Sequence, residues 1–302
     1  MNITLNSYFS GAGLMDIGLI EAGLQIAQSF EIDPTCCKVQ RENLGGAVIE
    51  CDISQKLALD EQDCDAMVFT YPCTKYSPIA DIHGTRTGDE LFLHALRHIA
   101  LKRPELYAVE NVPGMRKFKV VMEAMTKLPE YYVQMFCPVK SETWLPQRRN
   151  RLILLASRKP FAWRPPEHGR PLSLAEIVEA EPRVTLPSAI ANRMSGKYRD
   201  LPIVSDPARG DIAPTCVAHY HKDKSTRLLA DSRYPFGVRP YSVREYARLQ
   251  GVPDWFLFNC AETDAYKMIG NGVPVPMARW IGSEIVRYFR ANHAEQREAR
   301  AA

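Results

Sequence analysis

Cys73 is the residue of this 302-residue chain best placed to do chemistry. Asp65 leads into the apolar run Ala66-Met67-Val68-Phe69, and the run breaks at Pro72, so Cys73 stands where a buried strand gives way to a loop. Open α/β sheets carry their reactive groups at such strand ends. A cysteine there could be no more than a small buried hydrophobe. Lys75, two residues on, and the backbone constraint of Pro72 favour an exposed thiol near a positive charge, and only the thiolate is a strong nucleophile. Further candidates are the carboxylates Glu31, Asp52 and Glu110, each at the end of an apolar run, and the arginines Arg149 and Arg151. Buried or half-buried arginines need anionic partners.

These residues need a scaffold, and the chain supplies one in order. Ile3 to Phe9 reads as a strand, Ser10-Gly11-Ala12-Gly13 as a turn, and Leu14 to Gly23 as a helix closed by glycine. A dinucleotide fingerprint would place a third glycine at Asp16, so a nicotinamide site is disfavoured. Two glycines at a strand-to-helix turn still imply close backbone approach to a ligand. A second strand, Gln25 to Phe30, brings Glu31 about twenty residues past that turn, a spacing suited to ribose hydroxyls. The strand Ala47 to Cys51 brings Asp52. Either acid alone reads as a helix cap or a surface charge; together, beside the glycine turn, they outline an adenosine pocket.

A loop from Thr74 to Asp89 follows Cys73, then a helix from Leu91 to Leu101 and a strand, Glu105 to Val109, that delivers Glu110. His94 and His98 lie one turn apart on that helix without the glutamate a zinc-protease helix carries, and read as surface or packing residues. A helix near 116 to 128 and a strand near 132 to 138 precede Pro146 to Leu155. There Arg149 and Arg151 are expected to point the same way off one extended strand. Between about 156 and 240 the texture changes: 11 of the 22 prolines fall here and apolar periodicity weakens. Residues 158–239 carry 14 Lys and Arg against 9 Asp and Glu, whereas the remainder carries 24 against 26, so the basic surplus is local, as in a segment that meets a polyanion. Regular structure resumes with Ser242 and Glu245 as a capping box and Gly251 as a helix stop.

Composition bounds the class. With 46% hydrophobic and 24% charged residues the chain can bury a large core. No run of about 18 apolar residues and no basic-then-apolar leader is present, so no membrane partner and a cytoplasmic, nucleoid-associated location are expected. The eight cysteines include no C-x-x-C pair and are expected to be reduced, with no metal site.

Taken together, Phe9 to Gly13, Glu31, Asp52, Pro72-Cys73, Glu110-Asn111-Val112, Gln147 to Arg151, Arg244-Glu245 with Arg248 to Asp254, and Gly270 to Pro274 resemble the ordered motifs of the DNA cytosine-C5 methyltransferases. The likeness runs from residue 8 to about 285 in the family's order. It implies an α/β fold: a Rossmann-like class I S-adenosylmethionine-dependent methyltransferase domain with a small inserted target-recognition domain. The expected segments are 1–156, then 157–239 for target recognition, then 240–302 completing the catalytic domain.

The resemblance also implies roles. Cytosine C5 is too poor a nucleophile to take a methyl group, so Cys73 would add to C6 first. Glu110 would neutralise charge developing toward N3. Arg151 would orient the base and Glu110, while Arg149 would hold the cysteine loop or a DNA phosphate. S-adenosyl-L-methionine, leaving as S-adenosyl-L-homocysteine, would meet Phe9, Ser10, Gly11, Ala12, Gly13 and Leu14, Glu31 and Ile32, Asp52 and Ile53, Pro72, Leu91, Asn271 and Val273. The substrate would be double-stranded DNA with its target base flipped out, the 74–89 loop acting as a lid. Base reading would fall around Thr215 to Thr226. A monomer is expected, and a cognate restriction endonuclease stays open as a partner. Thr74 stands where the family usually has glutamine, which bears on loop closure. Three alternatives stay open: the tRNA cytosine-C5 branch, whose usual Cys-Phe-Thr signature is missing here, a non-catalytic DNA-binding regulator, and an α/β enzyme acting on another nucleotide-like substrate.

Overall fold

The computed structural model describes residues 2–72, 91–196 and 202–301. Cys73, Thr74 and the 74–89 segment lie outside the described residues. The first half follows the expected order: β1 (Thr4–Tyr8), α1 (Leu14–Glu21), β2 (Gln25–Glu31), α2 (Pro34–Leu44), β3 (Val48–Glu50), β4 (Ala66–Phe69), the helix Leu91–Lys102 and β5 (Leu106–Asn111). Local chemistry explains the boundaries. The Asp33 carboxylate accepts from Thr35 N at 3.0 Å, Pro34 opens α2, and Gly45 ends it at φ 66°. The single helix expected near 116 to 128 is instead a 3-10 turn, Pro113–Lys117, and a helix, Lys119–Thr126; Phe118, at φ −94° and ψ 85°, breaks the run between them.

β6 (Tyr132–Lys140), β7 (Gln147–Arg148) and β8 (Asn150–Ser157) follow. Seven strands form one sheet in the order β3-β2-β1-β4-β5-β8-β6. β1 pairs in parallel with β2 and β4, and β4 with β5, while β8 runs antiparallel to β5 and sets Glu110 opposite Ile153. β4 and β5 are buried along their whole length, which is why their sequences lack polar alternation. At the centre the Tyr8 ring stacks between Phe30 and Phe69, with centroids 4.8 and 4.4 Å away. Its hydroxyl donates to Glu61 Oε2 at 2.6 Å, and His98 Nδ1 lies 2.9 Å from the other oxygen. His98 is thus a packing residue, wholly buried.

The chain divides into two compact units: Met1–Val139, Asn150–Pro166 and Pro276–Ala302 form one, and Lys140–Arg149 with Glu167–Val275 the other. These bounds differ from the expected segments, because Gln147 and Arg149 are hydrogen-bonded to residues 216, 249, 250, 270 and 272. Residues 240–275 therefore cohere with the inserted segment. Within this second unit β9 (Ile203–Ser205), β11 (Arg227–Ala230) and β12 (Val238–Pro240) form a sheet, and β10 (Ala213–Pro214) pairs with β7. The capping box at Ser242 and Glu245 forms as the sequence predicts. Glu245 also takes the fully buried Arg239 guanidinium in two bonds of 2.7 Å.

Candidate active site

In the first unit, β5 and β8 build the pair at the centre of the candidate site. Ile153 stands opposite Glu110, and Arg151, two residues earlier on β8, falls on the same face of the sheet. Arg151 Nε lies 2.6 Å from Glu110 Oε1, with side-chain exposures of 11% and 9%. This is the anionic partner that a half-buried arginine requires. Arg151 Nη1 also donates to the Asn150 carbonyl at 2.7 Å, which fixes the plane of the guanidinium.

Asn111, the next residue of β5, has a part that the sequence reading quoted in a motif but did not assign. Its Nδ2 donates to the main-chain oxygen of Tyr71 at 3.1 Å, and its Oδ1 accepts from Val112 N at 2.8 Å. The strand end bearing Glu110 is thereby tied to the segment that leads through exposed Pro72 toward Cys73. Thr70 does the same on the other side, donating to the carbonyl of Phe9 at 2.9 Å. The only available signal was the polar residue following Glu110 in an otherwise apolar run.

The glycine turn presents main chain rather than side chains. Phe9, Gly11 and Gly13 adopt positive φ of 59°, 57° and 83°. Ser10, Ala12 and Leu14 are buried, so their side chains face the core. A Cβ on Gly11 would meet nothing within 4 Å, leaving its backbone open to close approach. The Glu31 carboxylate reaches this turn from the end of β2: Oε2 accepts from Gly11 N at 2.8 Å, and Oε1 from Ile32 N and Asp33 N at 2.9 Å each. Ile32 is 62% exposed, an apolar face at the same strand end. Asp52 is exposed and accepts from Ser54 N at 2.8 Å, which holds its carboxyl below the usual range. Ile53 is buried, its carbonyl accepting from Arg97 at 3.0 Å, and Leu91 is half-buried.

In the second unit the expectation for Arg149 changes. The strand is broken at this residue, since β7 ends at Arg148 and β8 begins at Asn150, so Arg149 and Arg151 do not share one extended strand. Arg149 is 2% exposed and donates to the carbonyls of Cys216 at 2.8 Å, Gly270 at 3.1 Å and Gly272 at 2.8 Å. Buried in this way, its two terminal nitrogens are turned to main-chain oxygens of the same unit. Gln250 Nε2 joins it on the Gly272 carbonyl at 3.0 Å. The turn between exposed Asn271 and buried Val273 is therefore pinned from within. Gly270 is required there, because a Cβ would lie 2.3 Å from Ala218 N and Val217 C.

Glycine turn, acidic strand ends and buried Glu110–Arg151 pair occur in one order along one sheet. The family model for C-5 cytosine-specific DNA methylase matches residues 3–201 and 189–287. The chain belongs to this family. Among relatives of this C5 cytosine DNA methyltransferase, type II methyltransferase M.NgoFVII of Neisseria gonorrhoeae is 28% identical over 332 residues, covering 95% of this chain and 87% of that protein. Type II methyltransferase M.NlaX of Neisseria lactamica is 27% identical, covering 92% and 94%. The crystal structure of the S. pombe Dnmt2 methyltransferase superposes with a TM-score of 0.80 at 19% identity, covering 95% and 99%, a likeness of fold. The mixed sheet of this methyltransferase is the class I methyltransferase core. Among the described residues no helix is long and apolar enough to cross a membrane.

Proposed function

We propose that the chain transfers a methyl group from S-adenosylmethionine to C5 of a cytosine flipped out of a short duplex DNA sequence, with Cys73 adding covalently to C6. The observation that carries this reading is the Glu110–Arg151 pair, 2.6 Å apart and nearly enclosed at the end of β5. The first unit also fits the methyl donor. A ribose diol offers two hydroxyl donors, and Glu31 is the acceptor at the glycine turn; the exposed Ile32 offers an apolar face, and Gly11 open main chain. When bound, S-adenosylmethionine supplies an electrophilic methyl group on a sulfonium.

The chain's own residues do the rest. As the Cys73 sulfur bonds to C6, the C5–C6 π pair shifts toward N3, and Glu110 neutralises that nitrogen through a shared proton. Arg151 keeps the Glu110 carboxyl turned to its task and directs N–H groups at the base's carbonyl oxygen. After transfer a base takes the C5 proton, and the Cys73 sulfur leaves with its electron pair, which restores the C5–C6 double bond. Arg149 positions main chain within the second unit. Residues 157–239 read the DNA, supported by their local basic surplus of 14 Lys and Arg against 9 Asp and Glu. The chain acts as a monomer, and the type II designation of its relatives supports a cognate restriction endonuclease.

The test is transfer of tritiated methyl from S-adenosylmethionine to unmethylated duplex DNA, with Cys73→Ser beside the parent and bulk tRNA as a second substrate. Label recovered as 5-methylcytosine in DNA and lost in the variant is expected. Label in tRNA alone, or DNA binding without any transfer, would overturn the reading.

A further inference from the structure

Asp16 occupies the position at which a nicotinamide fingerprint carries its third glycine, and its carboxylate is fully buried in the first turn of α1. Three donors converge on it: Ser7 Oγ of β1 at 2.6 Å, Ser29 Oγ of β2 at 2.9 Å and Gln40 Nε2 of α2 at 2.7 Å. The last bond orients the Gln40 amide. With its nitrogen committed to the carboxylate, Oε1 faces the other way and accepts from Ser10 Oγ at 2.8 Å. Ser10 opens the glycine turn, and its carbonyl accepts from Gly13 N at 2.9 Å. Gln40 also floors the turn: a Cβ on Gly13 would lie 2.9 Å from Gln40 Cγ and 2.8 Å from Leu44 Cδ1.

A staple between helix and sheet would not need a carboxylate. Burial pushes the Asp16 carboxyl up to about 6 against the pull of its three hydrogen bonds, so the ionised form is held at a cost. The groups facing it from β1, β2 and α2 are two hydroxyls and one amide, and none of them is charged. What ionised Asp16 adds is direction. An acceptor on both oxygens admits one orientation of Gln40, and that orientation draws the Ser10 hydroxyl inward.

We propose that Asp16 and Gln40 are positioning residues for the methyl donor, acting through a relay, Asp16 to Gln40 to Ser10, that holds the glycine turn in its receiving conformation. This rests on the proposed function. Protonation turns one Asp16 oxygen from acceptor to donor, Gln40 loses its director, and the turn binds the donor less well.

The test uses the full chain and S-adenosylhomocysteine as the probe, its Kd measured by calorimetry from about pH 5.5 to about pH 7.5, a range bracketing about 6. The parent is expected to weaken about threefold by about pH 5.5, where a group titrating near 6 is only partly protonated, out of the about fivefold to tenfold that one buried hydrogen bond is worth. Asp16→Asn should be flat with pH and lie near the parent's weak value. Gln40→Met, which keeps the packing under Gly13, should raise KM for S-adenosylmethionine about fivefold while kcat and KM for DNA change less than about twofold. If Asp16→Asn fails to fold, Gln40→Met decides alone. Variants that bind and titrate like the parent overturn the inference alone. A parent that binds no probe at any pH overturns the proposed function and the inference with it.

Discussion

Asn111 Nδ2 donates to the main-chain oxygen of Tyr71 at 3.1 Å, joining the strand end that carries Glu110 to the segment that leads to Cys73 across 40 positions of sequence. Asn111 is 2% exposed, so neither group can turn to water instead. Asn111→Ala should cost about 1 to 3 kcal/mol of stability, because it strands the Tyr71 carbonyl and the Val112 N–H together. Single-turnover methyl transfer should fall at least about tenfold, while the Kd for S-adenosylhomocysteine stays near the parent's. An unchanged transfer rate in a folded variant would show that the tie does not govern the cysteine segment.

Glu110 and Arg151 should behave as one device. Glu110→Gln keeps the shape and a hydrogen bond but removes the shared proton, and should lower kcat about 10²-fold to 10⁴-fold. Arg151→Met leaves the buried Glu110 without its partner at 2.6 Å and should destabilise the fold by about 3 kcal/mol. The double variant should be more stable than Arg151→Met alone, since the unpaired charge is gone. Urea unfolding of the four proteins completes the cycle, and simple additivity would refute the coupling.

Asp16 predicts a slope of stability with pH. Its folded value of about 6 stands above the ordinary 3.8, so between the two the native state holds a proton that the unfolded chain has released. Raising the pH through this window therefore favours unfolding, by about 1.4 kcal/mol per unit at most, and the Asp16-linked contribution is flat above it. Other carboxylates titrate with the opposite sign, so the quantity to measure is the difference between parent and Asp16→Asn in urea midpoints. That difference should move toward the variant as pH rises from about 4 to about 6, and a shift toward the parent would contradict the assignment.

Two glycines should separate fold from binding. Gly270→Ala drives a methyl to 2.3 Å from main-chain atoms of Val217 and Ala218, which cannot yield as a side chain can, so a loss of about 3 kcal/mol and a fall in Tm of several degrees are expected. Gly11→Ala meets nothing within 4 Å and pays only for its positive φ of 57°, about 1 kcal/mol. Its larger effect should appear in the Kd for S-adenosylhomocysteine. Calorimetry and thermal unfolding on both variants check the contrast.

The residues themselves determined much of this protein. The strand and helix order through β5, the glycine turn, the cap of α2 and the box at Ser242 and Glu245 follow from periodicity and capping, which act over a few residues. The motif order that carries the family likeness is also written in the chain. Tertiary structure decided the partners. Arg149 and Arg151 read alike as neighbours, yet the strand breaks at Arg149: its guanidinium donates to the carbonyls of Cys216, Gly270 and Gly272, whereas that of Arg151 pairs with Glu110. The tie from Asn111 to Tyr71 and the relay from Asp16 through Gln40 to Ser10 were equally invisible. Such contacts depend on sheet register and on distant segments brought together by burial, and no local pattern of residue types encodes which buried donor will find which acceptor.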